Sequence, residues 1–131
     1  MIALDTNVIV RFLVEDDRAQ SAAAAALIER AIEANEALYV ADVALCEVVW
    51  VLEYSYQVAR AEVAAVLGRL LHARHLTFAA PDLLLRALAS FDGGKGDFAD
   101  YVIREHAVAA GCDRVATFDR ALLKEPAFSR P

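Results

Sequence analysis

Three features of the chain predict an α/β fold built on a central, mostly parallel sheet of four to five short strands. Brief apolar runs recur along the sequence, helical stretches separate them, and acids stand directly after two of the runs. Strands joined through helices cross over in parallel, and a parallel sheet is covered on both faces, so each strand reads as an apolar run without alternation. At 131 residues the chain fits one domain, residues 1–131, with a core large enough to need no covalent staples.

Ile2-Ala3-Leu4 is the first predicted strand and ends in Asp5-Thr6-Asn7, a polar turn at its carboxyl end. In open α/β sheets ligands bind beyond that edge. Val8 to Leu13 follows as a short helix, and Glu15-Asp16-Asp17 breaks it. Arg18 to Ala34 is a long helix whose packed stripe is marked by Leu27, Ile28, Ala31 and Ile32. Leu38-Tyr39-Val40 is the second strand, and Asp42 is placed to cap a helix from Val43 to Tyr54. Val48, Val49, Trp50, Val51, Leu52 and Tyr54 wrap most of that helix, with Glu47 and Glu53 its only charges, so burial on more than one side is expected.

Arg60 to His72 is helical, Leu76-Thr77-Phe78 is a third strand, and Pro81 opens a helix to about Phe91. Asp92-Gly93-Gly94-Lys95-Gly96 is expected to be the most flexible loop. Asp97-Phe98-Ala99-Asp100 then starts a helix that ends at Gly111, in the left-handed position favoured by glycine. Arg114 to Phe118 is the fourth strand, Asp119 stands just past it, and a short helical tail with Pro126 completes the chain.

The apolar fraction is 59%, but much of it is alanine, which favours helix. The longest such run, Ser21 to Ile28, is far short of the roughly 20 residues a membrane span needs, so a soluble, cytoplasmic protein is expected. Cys46 and Cys112 lack metal-type spacing and are expected as reduced, buried thiols. A net charge of −6 argues against a nucleic-acid partner, since phosphates attract basic surfaces. The objection fails if the acids gather at one place, where bound cations reverse the local sign.

Where the acids fall is therefore decisive. Asp5 and Asp119 follow strands, and Glu47 lies near the start of the helix after the second strand, at the same edge of a parallel sheet. Asp97 and Asp100 open a helix that leads into the fourth strand and would ordinarily begin at the opposite edge, so only an irregular layer order delivers them. Taken singly, Asp97 reads as a helix cap and Asp100 as a first-turn acid paired with Arg104. Glu47 is costly in so apolar a helix unless something pairs with it. Two carboxylates about 5 Å apart repel by roughly 3 kcal/mol at an effective dielectric near 20. A cluster of them therefore calls for cations, and oxygen-only ligands select Mg²⁺ or Mn²⁺ over zinc. One or two such ions support phosphodiester hydrolysis.

Ile2-Ala3-Leu4-Asp5-Thr6-Asn7, Glu47 in its helix, Gly96-Asp97-Phe98-Ala99-Asp100-Tyr101-Val102-Ile103 and Thr117-Phe118-Asp119 resemble, in that order, the four acidic motifs of PIN-domain ribonucleases. The likeness is closest to VapC-type toxins of bacterial toxin–antitoxin pairs, and it spans the whole chain. It implies a three-layer α/β/α sandwich in which the start of the Asp97 helix does face the edge of the first strand. It also implies RNA cleavage dependent on Mg²⁺ or Mn²⁺. By position Asp5, Glu47 and Asp100 are the implied central acids, Asp119 the fourth and Asp97 an additional one; acids at both 97 and 100 leave open which of the two touches the metal. Thr6, Asn7 and Thr117 are implied as supporting hydrogen-bonders. Similar toxins are inhibited by an antitoxin whose tail lies over the site, and they commonly form homodimers. The apolar helix at Val48 to Tyr54 and the Ala-rich helix before it are the candidate surfaces.

Other signals are weaker. Gly93-Gly94-Lys95-Gly96 lacks the Ser or Thr of a phosphate loop, though Lys95 could reach an RNA phosphate. Arg11, Arg86, Arg104 and Arg120 could line an RNA path, with a solvated surface as the default. No histidine is positioned as a base, which leaves a carboxylate or metal-bound hydroxide. A receiver domain of the phospho-signalling type is the main rival, but Ala79-Ala80-Pro81 follows the third strand where its phospho-accepting Asp would stand. A haloacid-dehalogenase-like phosphatase needs an Asp at the position of Asn7. A catalytically idle PIN module that only binds a partner is disfavoured by the complete set of acids.

Overall fold

Three apolar pairs make the first sheet: β1 (Ile2–Ala3), β2 (Leu38–Tyr39) and β3 (Leu76–Thr77) lie parallel in that order, with Ile2 opposite Leu38 and Leu38 opposite Leu76. The computed structural model describes residues 1–131, and this sheet belongs to the first of its two units, Met1–Ala79. Pairing runs a residue past each strand, through Leu4 N–H to Tyr39 O at 2.8 Å and Val40 N–H to Thr77 O at 2.9 Å. Four helices accompany it: α1 (Thr6–Leu13), α2 (Arg18–Glu33), α3 (Asp42–Trp50) and α4 (Arg60–His72). Leu4, Ile9, Val10, Leu38, Leu45, Val48, Val63 and Leu67 form the buried core. An α/β class with parallel strands is thus borne out.

Several expectations for this unit need correction. In α2 the packed residues are Ser21, Ala24 and Ala31, while Ile32 is exposed and Leu27 and Ile28 are only half-buried. The small residues let α1 approach closely, and the larger ones fall to the side. Asp42 is the first residue of α3, with Ala41 at the cap position, so its acid favours the helix dipole rather than capping. The predicted single helix to Tyr54 ends at Trp50 and continues as a π-helical turn, Val51–Ser55. Nor is it buried all round: Val48, Val49 and Leu52 face the core, but Val43, Trp50 and Tyr54 are exposed.

The second unit, Ala80–Pro131, pairs α5 (Pro81–Gly93) with α6 (Phe98–Ala109). Leu84, Ala87 and Phe91 supply one side of its core, and Phe98, Tyr101 and Val102 the other. Phe91 meets Phe98 edge to face, with centroids 5.9 Å apart. Gly111 ends α6 with φ of +90°, as expected. β4 (Val115–Ala116) pairs in parallel with a strand not predicted, β5 (Phe128–Ser129), after a 3₁₀ turn at Leu122–Lys124.

Part of the glycine segment packs against α6. The Gly96 N–H donates to the Tyr101 hydroxyl at 3.0 Å, and a side chain at Gly94 would overlap that same hydroxyl. The expected Asp100–Arg104 pair does not form. Arg104 is buried, its guanidinium over the rings of Tyr101 and Phe128 and bonded to Ser90 and Glu105. Cys112 is exposed and Cys46 half-buried, so neither thiol is buried as expected.

Candidate active site

Asp5 lies two residues beyond β1 and takes the N-cap position of α1, in extended backbone. An Asp at this position ordinarily caps the helix with its carboxylate, a bond worth about 1 kcal/mol. Here the side chain makes no capping bond and stands exposed at the carboxyl edge of the sheet. Only its backbone oxygen serves the helix, accepting from Val8 N–H at 3.1 Å.

Thr6, the next residue, is buried, and its hydroxyl donates to Glu47 Oε2 at 2.7 Å across a sequence gap of 41. Glu47 is itself exposed on α3 rather than lodged in the apolar helix core. The cost foreseen for it is thereby avoided: the carboxylate stays in water and is oriented by one hydroxyl. Beside it Cys46 is a poor nucleophile, because burial first, and then the charges of Asp42 and Glu47, push its thiol up to about 11. Asn7 is exposed and lines a groove of about 500 Å³ with Val8, Arg11, Gln20, Ala24 and Leu27.

In the second unit Asp97 takes the N-cap position of α6 and forms a capping box with Asp100. The Asp97 N–H donates to Asp100 Oδ2 at 2.9 Å. Asp119, exposed after β4, accepts from Ala121 N–H at 2.9 Å, and its own N–H donates to the Thr117 hydroxyl at 3.0 Å. The Asp100 carboxyl is held above the usual carboxylate range. Burial is the largest cause, and the charges of Asp97, Asp119 and Glu125 add to it against the opposing hydrogen bond from Asp97. Asp97, Asp100 and Asp119 thus share one electrostatic environment.

Glu125 belongs to that environment and was not anticipated. Its Oε1 accepts from the Tyr101 hydroxyl at 2.7 Å and from Lys95 N–H at 3.2 Å. No motif in Lys124-Glu125-Pro126 signals this, because the partners lie 24 and 30 positions away.

Of the arginines considered for an RNA path, Arg104 is buried and Arg86 pairs with Glu105 at 2.9 Å. Arg11 binds Asp16, Tyr56 and Gln20 at 2.6 to 3.2 Å. Arg120 and Lys95 are exposed.

Within neither unit do three acid, histidine or cysteine side chains close into a ready-made metal cage. Mg²⁺ seldom uses one; it is commonly held by one or two carboxylates, with waters and substrate phosphates completing its shell. An all-oxygen donor set fits a hard divalent cation, and so does a carboxyl raised first by burial and then by its acidic neighbours. No helix is long and apolar enough to cross a membrane.

No curated protein and no solved structure matches the chain. The PIN domain family model matches residues 2–128, nearly its full length. With Asp5 and Asp119 shortly beyond parallel strands, and with acids at the start of α6, the chain belongs to the PIN domain family.

Proposed function

We propose that the protein is a metal-dependent endoribonuclease and the toxin of a toxin–antitoxin pair, acting as one PIN module. PIN domains are generally nucleases and suggest an RNA substrate. The observation that carries the reading is the Asp5 side chain, an acid at a helix cap position that does not cap. An aspartate used only for stability would be expected to satisfy the helix end.

Asp5, Glu47 and Asp100 are the proposed central acids, with Asp119 and Asp97 supporting them. A bound Mg²⁺ or Mn²⁺ would neutralise these carboxylates and supply Lewis-acid chemistry to the phosphodiester. The chain's own contribution is orientation. Thr6 fixes one Glu47 oxygen and leaves the other available, and Thr117 holds the Asp119 backbone. Asp97 N–H keeps one Asp100 oxygen in place. Asn7, exposed two residues beyond Asp5, is available to hydrogen-bond a substrate oxygen.

Of the two candidate antitoxin surfaces the Ala-rich helix is the one proposed: its Ile28 and Ile32 line an apolar groove of about 210 Å³ with Ile9, Phe12 and Leu70. Phe12 and Ile32 are exposed there without a polar function, as expected of a face that a partner covers. Homodimer formation is proposed with it and is read by sedimentation.

Cleavage of total RNA should cease in chelator and return with Mg²⁺ or Mn²⁺, and cleavage persisting in chelator would overturn the metal mechanism. Expression should arrest growth unless a small co-encoded protein binds and restores it. Growth unaffected by expression of the active nuclease would remove the toxin role while leaving the enzyme.

A further inference from the structure

We propose that Trp50 and Tyr54 form a stacking platform for an unpaired base of the RNA substrate, beside Glu47; the inference rests on the nuclease reading and names a recognition element for it. The two rings lie 5.4 Å apart at 38° and are 57% and 56% exposed. Residues three apart on a helix are surface neighbours, so Trp50 sits next to Glu47, which Thr6 already orients. Tyr54 lies four residues beyond Trp50, on the same helix face, within the π-helical turn at Val51–Ser55. Such turns recur at functional sites.

Two arguments favour RNA over a protein partner on this face. Interface cores are depleted of charge, whereas the exposed Glu47 carboxylate interrupts the stripe Val43–Glu47–Trp50–Tyr54 and would have to be desolvated. A nucleic-acid strand lying over the rings leaves it wet. A chain of net charge −6 also cannot rely on phosphate neutralisation for affinity. Stacking on an aromatic face is available to every base and needs no positive charge.

Trp50 is the only tryptophan, so its fluorescence reports the platform directly. In the Asp5→Asn protein, chosen so that the RNA is not consumed, a mixed-sequence single-stranded RNA should quench it, and a duplex of the same sequence should not. Trp50→Ala and Tyr54→Ala, both at exposed positions, should keep the wild-type circular dichroism. Each should weaken binding of dye-labelled single-stranded RNA by about tenfold or more. Unchanged Trp50 fluorescence with an RNA that the wild type does cleave would overturn the platform and leave the nuclease standing. A fluorescence change that follows protein concentration and ignores RNA would assign the face to a second copy, and also overturns it. Absence of cleavage by the wild type with Mg²⁺ or Mn²⁺ would instead count against the nuclease reading.

Discussion

Asp16, in the turn between α1 and α2, and Asp100, in the first turn of α6, are the same residue type treated in opposite ways. Asp16 accepts from the Tyr56 hydroxyl at 2.6 Å and from Arg11 at 3.0 Å, and these partners hold its carboxyl below the usual range, Tyr56 contributing most. Asp100 has a backbone N–H for a partner and three acids for company, and burial with those charges holds it above the range. The first acid ties three segments of chain together and is electrically satisfied. The second carries charge that its surroundings leave uncompensated, a pattern that concentrates at functional sites. An acid's role is thus set by what faces it rather than by its position at a helix start.

The comparison breaks most visibly at Asp100 itself. Asp100→Asn should lower RNA cleavage by about 100-fold or more while the metal-free melting temperature at pH 7 holds or rises, because a charge disfavoured first by burial and then by its acidic neighbours is removed. A marked fall in melting temperature would make Asp100 structural, like Asp16. Next in size is Thr6→Val, which frees Glu47 without removing it. Loss of an orienting partner of this kind should cost about 10- to 100-fold in activity or metal affinity, seen as a higher Mg²⁺ requirement in a cleavage titration. An unshifted requirement would show that Glu47 is oriented by other means.

Smaller effects sharpen the contrast from the other side. Tyr56→Phe removes the main partner of Asp16 and should lower the melting temperature by at most about 3 °C, with cleavage unchanged. A loss of cleavage would move this turn into the functional machinery. The least conspicuous signature is the pH dependence in metal-free buffer. A raised carboxyl weakens the fold above its folded value and is relieved as pH falls through that value toward the unfolded one. A lowered carboxyl strengthens the fold above its unfolded value and loses that benefit as pH falls through the folded one. Asp100→Asn should therefore be the more stable partner of its pair at pH 7, with the advantage fading on acidification. Asp16→Asn should be the less stable, with its deficit fading only at lower pH. Calorimetric melting from pH 7 downward distinguishes the two, and equal signs would dissolve the comparison.

Much of the fold was legible locally. Arg60 to His72 forms a helix with the bounds that its pattern indicates, Pro81 opens α5, and Gly111 closes α6. What was misread depended on distant partners. The Gly-rich segment looked mobile because glycine lacks a side chain, yet Tyr101 and Leu122 occupy the space beside Gly94 and Gly96. Arg104 had Asp100 at helical spacing, but Ser90 and Glu105 hold its guanidinium over two aromatic rings. β5 carried one aromatic and no alternation, and it is a strand only because β4 pairs with it. In the first unit Asp5-Thr6-Asn7 was apparent and the Thr6–Glu47 bond was not; in the second the Asp97–Asp100 pair was apparent and the presence of Glu125 was not.

The α/β class, most of the helices and a candidate set made of carboxylates alone were determined by the sequence, because periodicity, caps and side-chain chemistry act over a few neighbouring residues. Which carboxylate is neutralised and which stays charged among acids was decided only by the tertiary structure. Tyr56 reaches Asp16 from 40 positions away and Thr6 reaches Glu47 from 41, and a charge responds to what stands beside it in space, whatever the distance along the chain.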